Sequence, residues 1–181
     1  MSERKLGPWK RLATDDGGSQ IAEAALVLPI VFTLLFAILS FARAYNIYTT
    51  ITYAAQEGAR VANTSTCATC LNTASTATDV ANRVSAVLQA SSINPTQIQA
   101  YASPGTLNAC PGTVVNCPPA VNKVQTCTNV EMNANGGALT GPAACGAVVT
   151  FEYPFGFQIP FFSQSGQTIL LKADVQMPTE E

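Results

Sequence analysis

Cysteine is the most chemically distinctive residue type in this 181-residue chain. The six cysteines are Cys67, Cys70, Cys110, Cys117, Cys127 and Cys145. An even number of cysteines confined to one part of a chain is typical of disulfides formed in an oxidising compartment. The spacing leaves many pairings open, so all six cysteines are disulfide candidates and their connectivity stays undecided.

A zinc site and a redox site are the two alternatives for these cysteines. Cys67 and Cys70 have the close spacing of half a zinc site, but the other half would have to be Cys110 and Cys117. That pair is more widely spaced than the pairs that hold structural zinc. A thioredoxin-like role for Cys67 and Cys70 is weaker still, because no βαβ pattern surrounds them. The sequence therefore favours disulfides and predicts no metal site.

The remaining side chains offer little for catalysis. The chain has no histidine, which removes the commonest general base and the commonest metal ligand. It also has no nucleophile elbow and no motif of paired carboxylates. A formal net charge of −2 gives no basic surface for nucleic acid. We therefore predict a non-enzymatic protein with no cofactor and no nucleic-acid partner, and a redox enzyme at Cys67 and Cys70 is the enzymatic alternative.

Glu23 is an ionisable residue in an unusual position. It directly precedes residues 24–42, which carry no charge and are long enough to span a bilayer. A carboxylate at this place is costly unless a partner compensates for it. It is also favoured by the positive end of a helix. The position alone is therefore compatible with a role in assembly and with simple placement at the membrane interface.

The helix predicted from the apolar run continues into a polar, alanine-rich segment at residues 43–63. A single helix from Gln20 to Ala62 would be about 65 Å long, which is more than a bilayer requires. Within it, Ala54, Gly58 and Ala62 form a row of small residues that permits close approach of another backbone. That backbone belongs either to another subunit or to the chain's own domain.

Basic residues predict the orientation of the span. Arg4, Lys5, Lys10 and Arg11 precede it, whereas Arg43 is the first basic residue that follows. Because lysine and arginine near a span mark its cytoplasmic side, we expect a cytoplasmic N-terminus and an extracytoplasmic domain. The location of the cysteines favours the same orientation.

The segment after the helix predicts a small α+β domain. Asp79 is a candidate N-cap for a second amphipathic helix that ends near Ser91. Strand patterns occupy residues 97–102, 121–132, 147–153 and 168–176. An aromatic cluster near the third strand is expected to be core rather than a partner surface; it comprises Phe151, Tyr153, Phe155, Phe157, Phe161 and Phe162.

The overall expectation is therefore a long N-terminal membrane-spanning helix followed by a disulfide-stapled domain with a second helix and an antiparallel sheet. The predicted boundaries are a cytoplasmic leader at residues 1–18, a transmembrane and projecting helix at residues 19–63, and an extracytoplasmic domain at residues 64–181.

Two segments of the helix resemble a known family. Residues 18–29 read GSQIAEAALVLP and residues 54–62 read AAQEGARVA. This combination resembles the TadE-like family of tight-adherence pilus components. Residues 147–154 and 169–180 resemble the family more loosely, and residues 64–144 do not resemble it. Ala24 stands where the family usually has an aromatic residue.

The resemblance implies a type IV pilin-like N-terminus. A prepilin peptidase would cut between Gly18 and Ser19, which makes Glu23 the fifth residue of the mature chain. A carboxylate in a low-dielectric bundle needs a positive partner. The new amine of a neighbouring subunit would supply that charge and fix the subunit register.

The resemblance also implies a structural role, as a membrane-anchored pilin-like or pseudopilin component of a tight-adherence (Tad/Flp) pilus assembly and secretion system. Its location would be the bacterial inner membrane, and its partners would be other pilin-like subunits and the pilus assembly machinery. The alternative is an unprocessed single-pass membrane protein with an extracytoplasmic binding domain. Cleavage after Gly18 and entry into the fibre are not decided by the sequence.

Overall fold

The structure, a computed structural model, describes residues 17–64, 75–101, 107–132, 144–156 and 168–179, and the side chains from residue 21 onward. Its helices are α1 (Gly17–Ala62), α2 (Ala77–Ala90) and a short 3₁₀ helix (Pro95–Gln97). Its strands are β1 (Gln125–Glu131), β2 (Cys145–Gly156) and β3 (Thr168–Pro178). They form one antiparallel sheet in the order β1-β2-β3. The predicted α+β fold is confirmed.

The described residues belong to two compact units, and α1 contributes to both. Residues up to Ala42 lie in the first unit, and the second begins at Arg43. In the first unit, the large apolar side chains of α1 are exposed, and the helix is long and apolar enough to cross a membrane. The Thr33 hydroxyl donates to the Ile30 carbonyl oxygen at 2.8 Å. This hydroxyl is therefore satisfied within the helix, as a bilayer requires of a polar group.

In the second unit, the C-terminal part of α1 and helix α2 pack with one face of the sheet. The buried core on this face includes Ile51, Ala55, Val80, Leu88, Val149, Phe151, Tyr153 and Val175. Alternate residues of β2 point into it, as the period of a strand requires. Phe151, Tyr153 and Phe155 are buried, as predicted, whereas Phe157, Phe161 and Phe162 lie outside the described residues.

Helix α2 begins before the predicted cap. Its N-cap is Thr76, whose side chain accepts from the backbone N–H of Asp79, while the Asp79 carboxylate accepts from the backbone N–H of Thr76 at 2.9 Å. This reciprocal arrangement is a capping box. The prediction of Asp79 as the N-cap was therefore wrong, because Asp79 is the third helical residue. Hydrogen bonds from Thr76 lower the pKa of Asp79.

The strand predicted at residues 97–102 is also corrected. Pro95–Gln97 forms a 3₁₀ helix, and the Asn94 side chain accepts from the Thr96 backbone N–H at 3.0 Å. Proline and an asparagine side-chain cap both favour such a turn over a strand. Only Gln99 pairs with the sheet, opposite Glu152, and residues 102–106 lie outside the described part. The other three strands occur with shifted bounds.

Candidate functional site

The N-terminal motif lies at the start of α1. The helix begins at Gly17, so Gly18 and Ser19 occupy its first turn, although their side chains are not described. Glu23 is exposed and forms no ion pair with a described residue. The carboxylate of Glu23 is therefore accessible. Cleavage after Gly18 and a partner for Glu23 stay predictions.

Gly58 of α1 lies directly against valine side chains of α2. A β-carbon at Gly58 would lie 2.8 Å from Val84 Cγ2 and 3.3 Å from Val80 Cγ1. Because β-branched side chains in a helix have little rotameric freedom, the valines cannot easily move aside. At Gly58, the small-residue row predicted from the sequence therefore packs against a helix of the same chain. The neighbouring backbone is that of α2.

Glu57 joins the same two helices by charge. It is only 8% exposed, and its carboxylate accepts from the Arg83 guanidinium at 2.7 Å and lies 3.4 Å from that of Arg60. The hydrogen bond from Arg83 lowers the pKa of Glu57, although burial opposes this effect. The buried carboxylate is therefore held in its ionised form, which compensates for its removal from water.

Sequence reasoning missed Glu57 as an interhelical contact. The spacing of Glu57 and Arg60 on one helix was the only local signal. Arg83 is 26 positions from Glu57, and no periodicity links the two residues. Arg60 is exposed and also contributes to the charge around Glu57.

Four of the six candidate cysteines form disulfides in the described part of the chain. The pairs are Cys110–Cys145 and Cys117–Cys127, and Cys67 and Cys70 lie outside the described residues. Cys110 and Cys117 are bound to different partners. They therefore cannot serve as the second half of a zinc site, and the disulfide prediction is confirmed for these four.

The two disulfides hold the segment that precedes β1 against the sheet. One bridge joins the segment to the start of β2 and the other joins it to β1, while Asn116 pairs with Thr128 through backbone hydrogen bonds of 3.1 and 2.9 Å. A second small core forms here from Cys127, Val130 and Val148 with Leu107, Val115 and Met132. The disulfides thus help to cover a small apolar core to which the described residues of α1 and α2 do not contribute.

Comparison with known proteins supports the resemblance in the N-terminal helix. Residues 18–60 match the family model described as TadE-like protein. The match includes Glu23, Glu57 and Gly58, but it covers less than half of the chain. No curated protein and no solved structure gives a significant match. The TadE-like segment and the apolar helix together fit a membrane protein associated with a Tad pilus.

Proposed function

We propose that this chain is a pilin-like or pseudopilin subunit of a tight-adherence (Tad/Flp) pilus assembly and secretion system. The observation that carries the proposal is the TadE-like match at residues 18–60, which includes the glycine, the glutamate and the apolar run. An exposed apolar helix of sufficient length to cross a membrane supports an anchoring role. The role is structural, and the partners are other pilin-like subunits and the assembly machinery.

In this proposal the anchor lies in the bacterial inner membrane with its N-terminus in the cytoplasm. The basic residues before the span support that orientation, and the two disulfides support an oxidising environment for the domain. Prepilin peptidase cuts between Gly18 and Ser19, and the domain after residue 63 remains outside the cytoplasm.

Glu23 then acts in subunit association. Its carboxylate has no ion-pair partner among the described residues of its own chain. A positive partner from a neighbouring subunit would offset the cost of placing the charge among apolar helices. The newly formed amine at Ser19 of a neighbouring subunit is suitable, because Ser19 and Glu23 belong to the same segment of α1. This amine exists only after cleavage.

The mature N-terminus tests cleavage. Intact-mass measurement of the protein purified from membranes should give a species that begins at Ser19. A chain that retains Met1 or Ser2 would contradict processing and would favour the alternative, an uncleaved anchor with an extracytoplasmic binding domain.

Glu23→Gln tests the assembly role. We expect the variant to insert normally into membranes but to lose pilus assembly or subunit association, because the charged partner of the amine is absent. Glu131→Gln, which removes a carboxylate from β1, is the matched control and should assemble normally. Normal piliation of the Glu23→Gln variant would refute the role assigned to Glu23.

A further inference from the structure

A polar cleft of about 430 Å³ lies at one end of the sheet. It is open to solvent and is lined by the 3₁₀ helix, the turn before β1 and the paired ends of β2 and β3. Its lining residues are Thr96, Gln97, Gln99, Lys123, Pro154, Gly156 and Thr168. The described lining contains hydroxyl, amide and ammonium groups but no carboxylate. Lys123 is therefore the one charged group among the described lining residues.

Two of these donors are available to a ligand. Lys123 forms no ion pair with any described residue. The Tyr153 hydroxyl donates to Gln97 Oε1 at 2.8 Å, which orients the amide and leaves its nitrogen to donate elsewhere. Burial raises the pKa of Tyr153, so the hydroxyl keeps the proton that this hydrogen bond requires. An ammonium group and an oriented amide together suit a carboxylate.

Lys123 occupies a backbone conformation that is unfavourable for lysine. Asn122 and Lys123 have φ angles of 49° and 66°, and Val121 and Val124 close the turn with backbone hydrogen bonds of 3.1 and 2.9 Å. A two-residue turn of this kind favours glycine at its second position. Lysine is disfavoured there by its β-carbon. A glycine would relieve that strain but would remove the one cation among the described residues that line the cleft.

The acidic C-terminal segment of the chain provides a carboxylate with complementary charge. Glu180 and Glu181 follow Thr179, whose backbone N–H and hydroxyl both donate to the Cys145 carbonyl oxygen, at 2.7 and 2.8 Å. Thr179 is thereby held beside the pair Gly146–Pro178, whereas the cleft lies beside the pair Gly156–Thr168 at the opposite end of the same strands.

The distance between these two ends excludes a contact within one chain. Strand β3 extends about 33 Å between them. Glu180 and Glu181 lie outside the described residues, but two residues in any conformation extend a chain by no more than about 7 Å. A carboxylate of Glu180 or Glu181 can therefore reach the cleft of another copy but not the cleft of its own chain.

We infer that the cleft around Lys123 and Gln97 binds Glu180 or Glu181 of a second copy of this chain. The contact joins different surfaces of the two copies, so it is heterologous and can repeat along an open array. It does not depend on the pilus role proposed above, because it concerns only the folded domain and its C-terminal residues.

Zero-length crosslinking tests the contact directly. A mixture of ¹⁵N-labelled and unlabelled full-length protein in detergent is treated with a water-soluble carbodiimide, which joins an amine to a carboxylate in contact with it. We expect a peptide that contains Lys123 to be joined to the peptide that contains Glu180 and Glu181, with mixed isotope labels. Lys172 and Asp174, 3.0 Å apart within one chain, provide an internal positive control for the reaction.

Matched variants measure the strength of the contact. Lys123→Gln and the double change Glu180→Gln with Glu181→Gln should each weaken self-association about two- to fivefold, the range for exposed ion pairs. Combining all three changes should weaken it no further, because they remove the same contact. Lys172→Gln removes a positive charge elsewhere on the domain and should leave self-association unchanged.

Two results would overturn the inference. One is a reaction in which Lys172 and Asp174 are joined but Lys123 is not joined to the C-terminal peptide of another copy. The other is self-association that is unaffected by neutralising Glu180 and Glu181. Neither result bears on cleavage at Gly18, which the N-terminal mass tests separately.

Discussion

The contact between α1 and α2 at Gly58 leads to a quantitative prediction. Gly58→Ala places a methyl group 2.8 Å from Val84 Cγ2 and 3.3 Å from Val80 Cγ1. Val84 is fully buried, so the added group has no free space. Overpacking of this kind costs about 1–3 kcal/mol. Alanine's higher helix propensity offsets about 1 kcal/mol, which leaves a net destabilisation of about 0–2 kcal/mol.

A second substitution separates the steric effect from helix propensity. Val84→Ala removes the methyl group that alanine at position 58 would contact most closely, but in the wild-type background it leaves a cavity. In the Gly58→Ala background the new methyl group fills part of that space. We therefore expect Val84→Ala to be less destabilising there, with a coupling of about 1–2 kcal/mol between the two sites.

Urea unfolding of the full-length protein in detergent, followed by near-ultraviolet circular dichroism, measures these differences in the domain. Gly156→Ala is the control, because a β-carbon at Gly156 meets no atom of the described residues within 4 Å, and the stability of this variant should be almost unchanged. If Val84→Ala has the same cost with glycine and with alanine at position 58, the close packing of α1 on α2 is refuted.

Two further predictions concern the charge and the disulfides of the domain. Arg83 lowers the folded-state pKa of Glu57 below its ordinary value of 4.5, so this carboxylate stabilises the fold above that value and loses its contribution as the pH falls through the lowered pKa. Glu57→Gln should therefore lower the free energy of unfolding at neutral pH and make it decrease less as the pH is lowered. A dependence on pH equal to that of the wild type in urea titrations would contradict this. Cys110–Cys145 closes a longer segment than Cys117–Cys127, with sequence separations of 35 and 10. Replacing the first pair by alanine should cost about 4 kcal/mol and the second about 3 kcal/mol, and the reverse order of urea midpoints would contradict the loop-entropy explanation.

Local patterns were sufficient to predict several elements. The strand pattern at residues 168–176 predicted β3; Ala173 and Val175 on one side of it are buried, whereas Ile169 on the same side is exposed. The amphipathic pattern after Asp79 predicted α2, which buries Val80, Val84 and Leu88, whereas Val87 is only partly buried. Errors arose at element ends, where side-chain hydrogen bonds compete with periodicity. The Thr76 cap and the turn at Pro95 are examples.

The sequence alone determined the long apolar helix, the disulfide-rich α+β domain and the TadE-like resemblance, because these depend on composition and on spacing within one element. The tertiary structure decided which cysteines pair, that Gly58 packs against Val84, and that Glu57 binds Arg83. It also brought Lys123 and Gln97 to one cleft. These contacts join residues far apart in the chain, and their energies depend on the close packing and burial that only the folded domain creates.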